Sequence, residues 1–441
     1  MRRMRNGIAS VMALLVFPIC SLAQQAQPPT ASSLPQAASP QSPSVRISLD
    51  EAIRLALQHN HALQAARSTI LQNQALETTA NLRPNPSLSA DYNFVPAFSP
   101  SYFNVPASQA PLPQEFDISV AYTLETAHKR QDRLAAARDV TAVSRSQVAD
   151  NERQLVFNVA QQFIGVVLAQ STIDLAKKDL DSFQKTVDIS EERYKAGDMS
   201  EGDYLKIKLQ LLQFQTDYSS AVLSKVQAIA ALRQLVGFES VPDFFDVDGQ
   251  LDYQPIHAGL DDLKALAMRT RPDLLAAQQS VTSAESQFRL AKANGKPDVV
   301  PQLGYSQAAG EHTLNFAVSL NLPIFDRNQG EVARTRYVIA QSQQLAQEAS
   351  EQVMSDVVDA YEALRTNDQI IQLYRSGYVD AAEKSRDISE YAYKRGAASL
   401  LDFLDAERTY RANALAYRQA LASYMTALEQ MRQAVGTRNL P

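Results

Sequence analysis

YKAGDMSEGDYL, residues 194–205, interrupts a long helical stretch, and YKRGAASLLDFL, residues 393–404, interrupts another in the same way. In each, a glycine follows the tyrosine by three residues and precedes an aspartate by six: Gly197 with Asp203, Gly396 with Asp402. Glycine adopts the left-handed backbone that reverses a helix. Ser200 and Ser399 are placed to cap the helix that restarts. Two further segments recur in the same order. LDEAIRLALQHNHALQAA (49–66) returns as LDDLKALAMRTRPDLLAA (260–277), and RQLVG (233–237) returns as RQAVG (432–436). The offsets are nearly constant at 211, 199 and 199. The chain therefore reads as one unit duplicated: a first repeat over 47–237, a joint over 238–259, a second repeat over 260–436 and a short tail over 437–441. Two copies are too few for a solenoid and suit a pseudo-symmetric body that oligomerises.

The N-terminus reads as an export signal. Arg2, Arg3 and Arg5 precede an apolar run over 8–19, and Ser21-Leu22-Ala23 is a small-x-small site, so cleavage is expected after Ala23. Cys20, the only cysteine, leaves with that segment, and Pro18-Ile19 before it argue against lipid attachment. Residues 24–46 are rich in Pro, Ser and Gln and are expected to form a disordered tail. Without the three arginines, 39 basic residues face 48 acidic ones, a net charge of −9 that disfavours nucleic acid as a partner. No later apolar run reaches 18 residues, so membrane insertion would have to use strands. Only 14 glycines in 441 residues, amid abundant Ala, Gln and Leu, point to long helices.

Each repeat reads helix, hairpin, very long helix, turn, long helix. The first helix is expected over about 49–82, stopped by Pro84 and Pro86. Strands follow near 87–95 and 115–124, and in the second repeat near 298–306 and 313–322. Leu88, Ala90, Tyr92 and Phe94 alternate with Ser87, Ser89, Asp91 and Asn93, which gives a strand one apolar and one polar face. Phe116, Ile118, Val120, Tyr122 and Leu124 do the same, as do Leu314, Phe316, Val318, Leu320 and Leu322; Val299, Leu303 and Tyr305 do so less regularly. The loop over 95–114 holds five prolines, whereas that over 307–312 is short and contains Gly310. From Lys129 to Lys195 there is no proline, and at ~1.5 Å per residue this is on the order of 100 Å of helix. Leu205, Leu209, Leu212, Thr216, Ser219, Val222, Val226, Ile229, Leu232 and Val236 step by threes and fours, a coiled-coil stripe.

Four strands cannot close a barrel, and two hairpins with an uncovered apolar face are unstable in water. Three chains would supply twelve strands, an allowed barrel size. The competing architecture is a periplasmic coiled-coil protein without a pore.

LDEAIRLALQHNHALQAA, RPNPSLSADY, LNLPIFDRNQGEVA and the two glycine breaks together resemble the outer-membrane efflux channels of the TolC family over 47–436. The resemblance implies a mainly helical homotrimer: a 12-stranded transmembrane β-barrel in outer-membrane lipid, continued by a periplasmic α-barrel of 12 helices. It implies a passive duct, with a periplasmic adaptor and an inner-membrane pump of RND or ABC type as partners. The two glycine turns become the periplasmic tip, where Gly197, Gly396, Ser200 and Ser399 meet the adaptor. Asp402 and Asp405 match the family's acidic constriction, and Tyr393 matches a tyrosine that holds the entrance shut; Asp203 is a weaker candidate for the same lining. Some relatives carry an arginine two residues after the second glycine; here that position is Ala398, with Arg395 just before the glycine. FDRNQGE (325–331) resembles the divalent-cation, cobalt–zinc–cadmium branch, which makes metal cations the favoured cargo over drugs or secreted proteins. As plain structure it is a strand-to-helix corner with Asp326 or Asn328 as cap.

The five histidines, His59, His61, His128, His257 and His312, are scattered, and no metal or cofactor site is expected. No glycine-rich phosphate loop, nucleophile elbow or catalytic triad is present in the sequence, and no enzymatic activity is expected.

Overall fold

Nine helices and six strands order the residues described by the computed structural model, which are 45–93, 115–256, 258–308 and 311–440. The export signal, most of the expected tail, Phe94 and the proline-rich loop, His257 and Gly310 lie outside them. Val45 and Arg46, assigned above to the tail, instead open strand β1 (Val45–Ile47), which pairs in parallel with β4 (Phe245–Val247) from the joint.

The expected first helix is two. Helix α1 (Leu49–His59) stops at Asn60, whose backbone turns extended (ψ 116°), and α2 (His61–Asn81) begins anew. Asn60 makes the break useful. Its Oδ1 accepts the Leu63 N–H (3.0 Å), and its Nδ2 donates to Leu235 O (3.0 Å) at the far end of the repeat. The second repeat breaks at the same place, between α5 (Leu260–Thr270) and α6 (Pro272–Asn294), where Pro272 takes the first helical position. There Arg271 Nη1 donates to Ala434 O (3.3 Å), the counterpart of Leu235 O. Each long path thus returns its last turn to the break in its own first helix pair.

Strands β2 (Ser87–Asn93), β3 (Glu115–Ala121), β5 (Val299–Ala308) and β6 (Glu311–Leu320) form one antiparallel sheet in the order β2-β3-β5-β6. β5 runs two residues further than expected and β6 starts two residues earlier, so together they take up most of the short loop. Register aligns the apolar residues across all four strands: Leu88 faces Val120, Val120 faces Leu303, and Leu303 faces Phe316. Ala90, Ile118, Tyr305 and Leu314 form the next row. Polar side chains join across the opposite face, where Ser89 Oγ and Ser119 Oγ are 2.7 Å apart and Gln302 Nε2 donates to Ser119 Oγ (2.8 Å). The apolar face is uncovered, and Leu88, Leu314, Phe316 and Val318 are exposed on it.

Below the sheet run the long helices. α3 (Lys129–Lys195) is a single helix of 67 residues. Its counterpart is divided into α7 (Gln329–Leu373), a π-helical turn (Tyr374–Tyr378) containing Gly377 at φ +109°, and α8 (Val379–Lys394). The strand-to-helix corners match: His128 and Asn328 precede α3 and α7 with left-handed φ of 60° and 61°. Neither caps through its side chain. Asn328 Nδ2 instead donates to Ala291 O (2.7 Å) on α6, and Asp326 Oδ1 accepts the Asn328 N–H (2.8 Å).

Two equivalent cores sit at mid-height. Ala52, Ala56, Leu63, Leu232 and Val236 in one have Leu263, Ala267, Leu274, Met431 and Val435 as counterparts in the other. By length and composition, one stretch of α3 is apolar enough to cross a membrane. Val159, Phe163, Val166 and Val167 of α3 are buried in the first core. The α4 stripe needs correction. Helix α4 (Glu201–Val236) buries Ile207, Phe214 and Ala221 within the chain, while Leu205, Leu209, Leu212 and Val226 stay exposed, Leu209 at 69%. The helix carries apolar residues on two faces; the predicted stripe is uncovered from Leu205 to Val226 and buried in the first core at Leu232 and Val236.

Candidate export gate

The far end of the helices is built from the two glycine turns. Gly197 (φ +82°) and Gly396 (φ +73°) are both left-handed. In each turn the N–H after the glycine reaches five residues back: Asp198 N–H to Arg193 O and Ala397 N–H to Ala392 O, both 2.8 Å. This closes the outgoing helix and reverses the chain. Ser200 and Ser399 cap α4 and α9 (Leu400–Val435) by accepting the N–H of Asp203 (3.1 Å) and Asp402 (3.2 Å). The second turn adds the reciprocal bond, the Ser399 N–H donating to Asp402 Oδ2 (3.3 Å), and is a full capping box.

The candidate carboxylates are all at the surface of the chain, near the tip. Asp402 and Asp405 lie about one helical turn apart on α9. Asp402 is held by the box and Asp405 by Arg408 (2.7 Å). Asp203 bonds Lys206 (3.2 Å), and its contacts with Ser200 and Lys206 hold its pKa below the usual carboxylate range. Tyr393 lies elsewhere. It is 6% exposed, packed among Phe183, Val187, Ile207, Phe214, Leu400 and Phe403, with its ring 5.4 Å from that of Phe403. Its buried hydroxyl has no partner among the described residues. The tyrosine therefore belongs to the apolar core joining the four tip helices. Arg395 lies over its neighbour Tyr391 (4.5 Å) and does not cross the tip. The arginine that does cross is Arg193. It sits 5.7 Å from the Tyr393 ring centre, and its Nη1 donates to Tyr393 O (3.4 Å).

Further from the tip, sequence reasoning missed a buried charge cluster. Asp179 of α3 and Glu407 of α9 are 6% and 8% exposed. Arg411 is shared between Asp179 (3.5 Å) and Asp217 of α4. Arg386 of α8 packs over the Tyr410 ring (4.0 Å) and bonds Asp387. Burial raises the Asp179 pKa despite Arg411. Burial, with Asp179 nearby, pushes Glu407 from an ordinary 4.5 up to about 7. These groups come from four helices, so no spacing along the chain could reveal them. Among the described residues, no three His, Cys, Asp or Glu side chains converge as a metal site.

An amphipathic four-stranded sheet, long helices running from it to a double turn, and the whole motif built twice are the features of a membrane-channel subunit. The outer membrane efflux protein family profile matches residues 52–238 and 264–437, and the chain belongs to that family. It is an outer-membrane protein with a periplasmic extension. It is 24% identical over 398 residues to the cobalt-zinc-cadmium resistance protein CzcC of Cupriavidus metallidurans, covering 89% of this chain and 88% of that one. It is 25% identical over 270 residues to the cation efflux system protein CusC of Escherichia coli K12, covering 58% of each. Among solved structures, CusC superposes with a TM-score of 0.73 at 20% identity, over 95% of this chain and 100% of that one. The Campylobacter jejuni CmeC outer membrane channel gives 0.75 at 17% identity, over 95% of each.

Proposed function

We propose that three copies of this chain close a 12-stranded barrel continued by a 12-helix tunnel, the outer duct of a tripartite efflux system. The observation that carries this is the sheet. Among the described residues its apolar face is uncovered, its polar face is cross-linked by hydrogen bonds, and β2 and β6 are its edges, placed to pair with neighbouring copies. The uncovered α4 stripe supports it, since Leu205, Leu209 and Leu212 gain burial only against another chain. An adaptor would meet the tip turns around Gly197, Gly396, Ser200 and Ser399, and a pump of RND or ABC type would supply the energy. Asp402 and Asp405 would form stacked acidic rings that favour cations, with Asp203 at their margin. Tyr393 would act from inside the tip core, by fixing the position of α8 against α9. The resistance and cation-efflux names of CzcC and CusC favour metal cations as cargo.

Single-channel conductance in planar bilayers tests the reading. Wild type is expected to give small cation-selective steps, and Asp402→Ala/Asp405→Ala weaker selectivity. Well-folded protein that forms neither trimers nor conducting steps would overturn the duct. Unchanged selectivity in the variant would reduce the two aspartates to helix-start residues.

A further inference from the structure

Where β6 ends and α7 begins, a groove of about 1000 Å³ lies between α6 and α7. Phe288 and Lys292 line it from α6, and Arg327, Arg336 and Tyr337 from the corner and α7. Three cations share this one groove, and none has a carboxylate partner among the described residues. Their neighbours do: Arg334 bonds Glu331 (2.6 Å), and Lys129 bonds Asp298 (2.8 Å). Asp326, the nearest acid in sequence, accepts a backbone N–H instead. Lys292 Nζ rests 4.1 Å from the centre of the Phe288 ring, so one wall is both cationic and aromatic.

Two observations place the groove. The apolar face of β6 continues past Leu320 as Leu322 and Ile324, both exposed, and ends at Phe325, 91% exposed. The groove starts two residues later, at Arg327, at the level where an apolar band gives way to a polar interface. Phe288 also follows Leu274 by two heptads on α6, so both lie on one helix face. Leu274 shares a buried cluster with Leu263 and Ala267 of α5. Helix α5 is an extra layer over the long helices, and in a closed tube an extra layer fits only on the outside.

We infer that this groove binds the phosphate of an anionic phospholipid in the periplasmic leaflet of the outer membrane. The inference rests on the barrel reading above. Lys292, Arg327 and Arg336 hold the phosphate oxygens, for which guanidinium forks are well matched. Phe288 and Tyr337 lie along the glycerol and the upper acyl chain.

Native mass spectrometry of the full-length protein in neutral detergent, titrated with phosphatidylglycerol or phosphatidylcholine, tests it. Wild type is expected to retain phosphatidylglycerol selectively, and Lys292→Gln/Arg327→Gln/Arg336→Gln to lose on the order of 100-fold in affinity, at ~1 kcal/mol per charge. Lys292→Arg/Arg336→Lys is expected to keep binding, and Arg336→Gln alone to lose about fivefold. The last two serve if the triple variant fails to fold. Equal retention by wild type and the glutamine variants, or equal retention of the two lipids, overturns the inference. Displacement of phosphatidylglycerol by millimolar inorganic phosphate also overturns it, making the groove a free-phosphate site. Oligomeric mass and conductance measured on the same samples separate the two readings: protein that selects the lipid but forms neither trimers nor conducting steps refutes the duct and leaves the lipid selectivity of the groove standing.

Discussion

The two tip turns carry the same stacked aromatic pair in different settings. Tyr194 stacks on Tyr204 at 4.9 Å in the first, and Tyr393 on Phe403 at 5.4 Å in the second, each pair 199 residues from its counterpart. The first pair is at the surface, with Tyr194 37% exposed; the second is enclosed by Phe183, Phe214 and Ile207 of the first hairpin. Nearby, exposed Lys208 in one hairpin corresponds to buried Glu407 in the other. α3 runs unbroken to its turn, while its counterpart passes through the π-helical turn at Gly377. Duplication copied the turn but not its burden. The second hairpin buries its aromatic pair and a charged residue against the first, which keeps the equivalent residues at its surface.

Exchanging equivalent residues measures that asymmetry. Phe403→Ala empties a buried aromatic site and should cost ~3–5 kcal/mol, whereas Tyr204→Ala should cost under ~1 kcal/mol. Hydrogen exchange of 379–410 against 190–210 reads both, and equal effects would break the comparison. Glu407→Gln should stabilise the protein at pH 8 by on the order of 3 kcal/mol. The sign follows from the raised pKa: the folded state keeps a proton that the unfolded chain loses near 4.5, so stability falls from there to about pH 7 and is flat above. The gain from Glu407→Gln should vanish below pH 4.5. Urea midpoints across pH test both. Gly377→Ala forces a side chain onto φ +109° and should cost ~1–2 kcal/mol. Lys178→Ala, 199 residues earlier on an exposed face of unbroken α3, should be close to neutral.

Features with a local chemical signature were legible in the sequence. The glycine turns need left-handed φ, the serines need only the N–H three residues on, and alternation fixes strand faces. Each repeat reads as opening with a single helix, and both breaks depart from that: Arg271-Pro272 does carry a signal, because proline does not fit an ordinary helix interior, while Asn60 carries a weaker one. The α4 stripe misled because α4 is apolar on two faces, and periodicity does not say which neighbour each face meets. Tyr393 matched a family position, but its burial depends on three other helices. The Asp179–Glu407–Arg411 cluster spans helices far apart in the chain, and each residue alone looks like part of a solvated face.

The parallel pairing of Val45–Ile47 with Phe245–Val247 has a consequence in time. A chain exported from its N-terminus presents residues 45–47 first and their partner 200 residues later. Until then the first strand is an unsatisfied edge, open to mispairing. Closing the clasp therefore reports that the whole first repeat and the joint have arrived. A chain truncated before residue 245 would expose that edge permanently, a mark by which quality control could tell it from a finished one.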